Sequence, residues 1–148
     1  MGHIIRSEHI DYDAIDLSWL IGRSIAGVTF NEPSFWCFVL GAQERLTVEC
    51  LWRIANREGM CRTSEDHFQK YGLPAAIDAA QEATQLLSGT RISSVELRRP
   101  AADLVITFSN DRWLEVLAMY SGYAAWQLYG PAGVCYAAMG GRISTWRE

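Results

Sequence analysis

No apolar run in this chain approaches the ~18 residues that a membrane-crossing helix needs. Positive charge is also short. The formal charge is −4, which leaves no basic footprint of the kind that phosphate backbones require. Nucleic acid and membrane are therefore not expected partners. Four cysteines are present, and none forms the closely spaced pair typical of structural zinc. Cys50, Cys61 and His67 are too widely spaced for such a site, so no metal is expected. The opening Met-Gly-His-Ile-Ile-Arg-Ser-Glu-His lacks the charged start and apolar middle of a signal peptide. A cytoplasmic location follows as the expectation, with Cys37, Cys50, Cys61 and Cys135 as reduced thiols. Catalytic signatures are missing too. No phosphate-cradling glycine loop, G-x-S-x-G, H-E-x-x-H or dinucleotide fingerprint occurs. No cofactor is expected, and the chain reads as a non-enzyme. Linkers rich in Pro, Ser or Gly are absent, and so are low-complexity tracts.

What is present is an ordinary globular composition, 49% apolar and 20% charged, in 148 residues. That length suits a single domain, 1–148, able to bury a core. The chain also repeats itself. Gly22, Ile25, Val28, Phe30 and Pro33 match Gly89, Ile92, Val95, Leu97 and Pro100 at an offset of 67. One inserted residue later, Leu40 matches Phe108. Leu46, Val48, Cys50 and Trp52 then match Leu114, Val116, Ala118 and Tyr120. The matched residues are almost all apolar, Gly or Pro, so the repeat encodes packing. Internal repeats are expected over about 22–64 and 89–145.

Each repeat reads as an antiparallel meander. The first has strands at Ile25–Phe30 and Phe35–Leu40, then one long strand from Arg45 to Ile54. In it Leu46, Val48, Cys50, Trp52 and Ile54 alternate with Arg45, Thr47, Glu49, Leu51 and Arg53, which aims the first set at a core. Met60–Ser64 is a further strand. Opposite parity of Ile25 and Val28, repeated at Ile92 and Val95, predicts a bulge or a late strand start. The second meander is expected at Ile92–Leu97, Leu104–Phe108 and Arg112–Tyr120, followed by strands at Ala124–Tyr129, Val134–Met139 and near Ile143. Pro74, which suits a first helical turn, and a run of alanines predict one helix over about 74–88. Its stripe is Ile77, Ala80, Thr84 and Leu87. Residues 1–15 read as an edge strand or arm, and 16–21 as a short turn of helix ended by Gly22. The fold class is α+β: two tandem antiparallel β-meander repeats joined by one α-helix and fused.

Two segments carry side chains suited to recognition. Glu65, Asp66 and His67 place an imidazole beside two carboxylates, a set suited to acid/base work or to ligand binding. Tyr123, Trp126 and Tyr129, with Tyr120, form an aromatic stretch of the kind enriched at binding hot spots. The order P-S-F-W-C-F-V-L, L-T-V-E-C-L-W-R, T-S-E-D-H and S-G-Y-A-A-W-Q-L-Y-G-P resembles a family of small uncharacterised bacterial proteins. That resemblance implies a bacterial origin and one small domain, and assigns no activity. The expected function is non-enzymatic protein binding, most concretely an immunity-type protein that neutralises a cognate toxin. Glu8, Asp11, Asp13, Glu65 and Asp66 would offer an acidic face to a basic toxin domain. Two other readings are a small-ligand binder or enzyme using Glu65, Asp66 and His67, and a homodimeric structural module. A pocket joining the two segments would favour the ligand reading, and a flat acidic face the protein reading.

Overall fold

A computed structural model describes residues 8–148. Of the expected N-terminal arm, residues 1–7 lie outside the described residues. The remainder forms twelve strands in two antiparallel sheets with one α-helix, an α+β chain that is mostly strand. The strands are β1 (Glu8–Ile10), β2 (Gly27–Asn31), β3 (Phe35–Val39), β4 (Arg45–Val48), β5 (Leu51–Asn56) and β6 (Gly59–Thr63), followed by helix α1 (Ala79–Leu87). Then come β7 (Ile92–Arg98), β8 (Asp103–Phe108), β9 (Trp113–Leu117), β10 (Ala124–Tyr129), β11 (Val134–Met139) and β12 (Arg142–Arg147). The seven-stranded sheet has the order β1-β12-β11-β10-β4-β3-β2, and the five-stranded sheet β6-β5-β9-β8-β7.

The long strand expected from Arg45 to Ile54 is two strands in two sheets. β4 pairs with β3 and β10, while β5 pairs with β6 and β9. The chain leaves one sheet at Glu49-Cys50 and enters the other. The alternation survives this corner, because Leu46, Val48, Cys50, Trp52 and Ile54 all stay buried. A strand that switches sheets is a standard way to build the corner of a two-sheet core. Inner-face rows run across each sheet. Trp36 lies beside Val48 and Val48 beside Trp126. Leu104 lies beside Val116 and Val116 beside Trp52. The two layers meet at Trp52, whose ring stands edge-on to Trp36 at 5.0 Å and to Phe38 at 5.5 Å. All of these side chains belong to one hydrophobic cluster.

Tyr120 does not stand where Trp52 stands. Trp52 is fully buried in β5, whereas Tyr120 lies in the loop between β9 and β10. The pairing partner of Val48 is Trp126, just as that of Val116 is Trp52. The second meander carries extra loop residues at its corner, and a fixed offset runs past them. The parity break is present. A bulge sits between Ile92 and Ser94, and the first strand starts late, at Gly27.

The helix is shorter than expected. It begins at Ala79, because Asp78 caps it, accepting a hydrogen bond from the Gln81 N–H at 3.0 Å. Residues 74–78 are instead irregular backbone. There the Phe68 N–H donates to the Ile77 carbonyl, and the Ile77 N–H to that of Gln69. The buried stripe is Ala79, Ala83 and Leu87, with Ile77 buried just before the helix. α1 packs against β2 and β6, the strands that end the two sheets on one side. Thr84 fastens it there: its hydroxyl accepts from the Val28 N–H of the edge strand at 2.9 Å. On the other side the segment before β2 covers β7. The Gly22 N–H donates to the Ile92 carbonyl, and the Ile92 N–H to that of Arg23. Gly22 has φ +85°, the left-handed conformation expected after the short turn Ser18–Leu20.

Candidate functional site

The β6 strand ends in a tight 3-10 turn, Ser64–Asp66. The Thr63 hydroxyl accepts from the Glu65 N–H at 3.1 Å, and the Thr63 N–H donates to Asp66 Oδ2 at 2.9 Å. This reciprocal capping occupies Asp66. Its carboxylate also meets Arg62 at 3.4 Å and accepts from the Tyr71 hydroxyl at 2.8 Å. Burial pushes the Asp66 carboxyl up, but the Thr63 N–H, Tyr71 and Arg62 outweigh it and hold it below its ordinary value. Asp66 is therefore a structural residue of the turn.

His67 follows, and its Nδ1 accepts the Ala79 N–H at 3.0 Å. An accepting Nδ1 bears no proton, so the neutral ring carries its hydrogen on Nε2. The ring packs among aromatics, with centroids 3.9 Å from Phe68, 4.6 Å from Phe30 and 5.2 Å from Trp36. Phe68 itself has φ +70° and is 58% exposed. A bulky residue rarely adopts that backbone region, and an exposed ring held there is unusual.

These rings border a cleft of about 460 Å³. Phe30, Trp36, His67 and Phe68 contribute from the β2–β3 and β6 sides, and Met119 and Tyr120 from the β9–β10 loop. Tyr120 stacks on Tyr123 at 4.3 Å, so the loop presents a paired aromatic wall. Among the described residues, the charged side chains lining the cleft are those of Glu32, Glu49 and Glu65, and no Lys or Arg lines it. Among the described residues, none of these three carboxylates forms an ion pair. Cys50 also lines the cleft. Burial and, secondarily, the Asp103 carboxylate push its thiol up to about 12, so it is not a thiolate nucleophile at neutral pH. The Ser64 hydroxyl accepts from the Trp52 N–H at 3.1 Å. Among the described residues, no group of three or more His, Cys, Asp or Glu is placed to hold a metal ion, and no helix is long and apolar enough to cross a membrane.

The two expected segments thus meet, but through different residues. Glu65 and His67 reach the cleft, and Asp66 does not. Tyr123 borders it only by backing Tyr120. Trp126 is 1% exposed and donates through Nε1 to the Ala102 carbonyl at 2.8 Å, so it is a core residue. Tyr129 has the opposite strand parity and stacks under Arg45 at 3.9 Å, away from the cleft. Nor do Glu8, Asp11 and Asp13 line the cleft, and Asp13 faces Arg99 at 3.3 Å. Glu32, Glu49 and Phe68 were missed from sequence. Glu49 had only a partial signal, its outward parity in an alternating strand. Comparison with protein-family models, curated proteins and solved structures finds no match.

Proposed function

We propose that this chain is a non-catalytic binding protein whose acidic, aromatic cleft receives a positively charged surface of a partner protein. The observation that carries this reading is the cleft's charge: among the described residues its three glutamates form no ion pair, and no cation stands among its lining residues. Like charges gathered without a partner repel one another, and an incoming cation relieves that repulsion. The geometry around His67 supports a binding rather than a catalytic role. Its Nδ1 is taken by a backbone N–H, and Asp66 is taken by the turn. The most specific form of the reading is an immunity-type protein of the bacterial cytosol facing a basic toxin domain. The architecture is read as one five-strand unit used twice. The order β11-β10-β4-β3-β2 in one sheet parallels β6-β5-β9-β8-β7 in the other, and Val48–Trp126 parallels Val116–Trp52.

A small cationic ligand is the second reading, because a cleft that joins the two segments is the arrangement expected of a ligand site and its volume lies in the usual range of small-molecule sites. A titration with an arginine–glycine repeat peptide and with free arginine amide separates the two. The protein reading predicts that the peptide binds and that affinity falls steeply as salt rises. Reversing Glu32, Glu49 and Glu65 to Lys should abolish binding while the protein stays folded. Peptide binding that ignores both salt and charge reversal would defeat it; tight binding of arginine amide alone would favour the small ligand.

A further inference from the structure

The cleft's negative charge explains attraction to a basic surface but not which cation enters. The walls bear on that question. Phe68 offers a ring that is more than half exposed, on a backbone held in the left-handed region by the Phe68–Ile77 and Ile77–Gln69 hydrogen bonds. Tyr120 offers a second ring, steadied by its stack on Tyr123. The two rings come from separate segments, the turn after β6 and the loop after β9. The same cleft is lined by Glu49 at the β4–β5 corner, by Glu65 in the turn after β6 and by Glu32 on the β2–β3 turn.

We infer that the cleft is a socket for one arginine side chain of the partner, with its guanidinium plane against Phe68 or Tyr120 and its N–H groups on the carboxylates of Glu32, Glu49 and Glu65. This rests on the proposal above that the cleft receives a basic surface. Charge complementarity alone would accept lysine equally. A guanidinium differs in being planar and weakly hydrated, so it stacks on aromatic faces and reaches more than one carboxylate through its fixed fork of donors. An ammonium is compact and strongly hydrated, and uses the rings less. Volume is no obstacle, since about 460 Å³ exceeds what one side chain fills. Phe68 also borders a neighbouring hollow with Phe30, Ile77 and Ala80, where the residue beside the arginine would find apolar contact.

The test titrates the full chain with three capped tripeptides, Gly-Arg-Gly, Gly-Lys-Gly and Gly-citrulline-Gly, the last a neutral shape-mimic of the first. The arginine peptide should bind roughly tenfold more tightly than the lysine peptide, and the citrulline peptide should not bind. At least one of Phe68→Ala and Tyr120→Ala should weaken the arginine peptide several-fold and leave the lysine peptide nearly unchanged. Glu49→Gln should weaken both. Because Phe68 is mostly exposed, its alanine variant should melt close to the parent, which separates lost binding from lost folding. Equal affinity for arginine and lysine, indifferent to Phe68→Ala and Tyr120→Ala, would overturn the socket and leave the acidic-cleft reading standing. Failure of both cationic peptides to bind would overturn both.

Discussion

Trp52 and Trp126 are both fully buried, yet only one indole nitrogen has a partner. Trp126 Nε1 donates to the Ala102 carbonyl at 2.8 Å, whereas Trp52 Nε1 has no hydrogen-bond partner among the described residues. A buried orphan donor already costs about 1–3 kcal/mol, and replacing Trp52 by Phe removes that penalty along with some packing. The same change at Trp126 orphans a buried carbonyl as well as shrinking the side chain. Trp126→Phe should therefore destabilise the protein by about 1–3 kcal/mol more than Trp52→Phe, as read by urea unfolding. Equal losses would mean that Ala102 finds another donor. Cys50 gives a second residue-scale prediction. Its thiol is pushed up to about 12 from an ordinary 9.0 by burial. The folded state then holds its proton where the unfolded chain has begun to lose it. Stability from this group is complete below pH 9 and falls as pH rises toward 12. Iodoacetamide at pH 8 should spare Cys50 until the protein is unfolded, which peptide mass mapping would check. Rapid labelling of Cys50 in the native protein would contradict its burial.

At the scale of elements, Thr84 ties α1 to the edge of the seven-stranded sheet. Its hydroxyl accepts from the Val28 N–H and donates to the Ala80 carbonyl. Thr84→Val keeps the shape and removes the acceptor. It should cost about 1 kcal/mol and speed hydrogen exchange at the Val28 amide. Exchange at that amide unchanged from the parent would show that another group covers this edge. The strands were legible in the sequence for a simple reason. Period-two burial at Leu46, Val48, Cys50, Trp52 and Ile54 is a local property of extended chain, and it holds on both sides of the corner. For the same reason the corner itself was hidden, because no break in alternation marks Glu49-Cys50. The helix start was misplaced because Pro74 and the alanines after it suit a helix, while the residues that decide are Asp78 and the non-local bond pair between the 68–69 segment and Ile77. The candidate site was half legible. Glu65 and His67 stood out as a polar cluster, but Glu32, Glu49 and Phe68 become neighbours only through strand pairing and the loop after β9. Trp126 could not be told from a surface aromatic without its register against Val48.

At the scale of the whole molecule, two sheets share one core, and an acidic cleft opens at the corner where the chain passes between them. Val48 and Val116 sit centrally in each sheet with no measurable exposure. An aspartate at either site would bury a charge with no cation beside it, at a cost of several kcal/mol against a total stability of roughly 5–15. Both variants should be unfolded or nearly so by circular dichroism, and they should be about equally damaging. A variant that melts within a few degrees of the parent would place that valine outside the core.

The proposed seat of a basic partner is the cleft bordered by Glu32, Glu49, Glu65, Phe68 and Tyr120. The most direct measurement is a map of backbone amide shifts as an arginine–glycine repeat peptide is titrated into the labelled protein. Saturable shifts are expected at residues 30–36, 49–51, 64–69 and 118–123, fading as salt is raised. Shifts centred instead on the β1–β12 edge near Glu8, or no shifts at any peptide concentration, would contradict it.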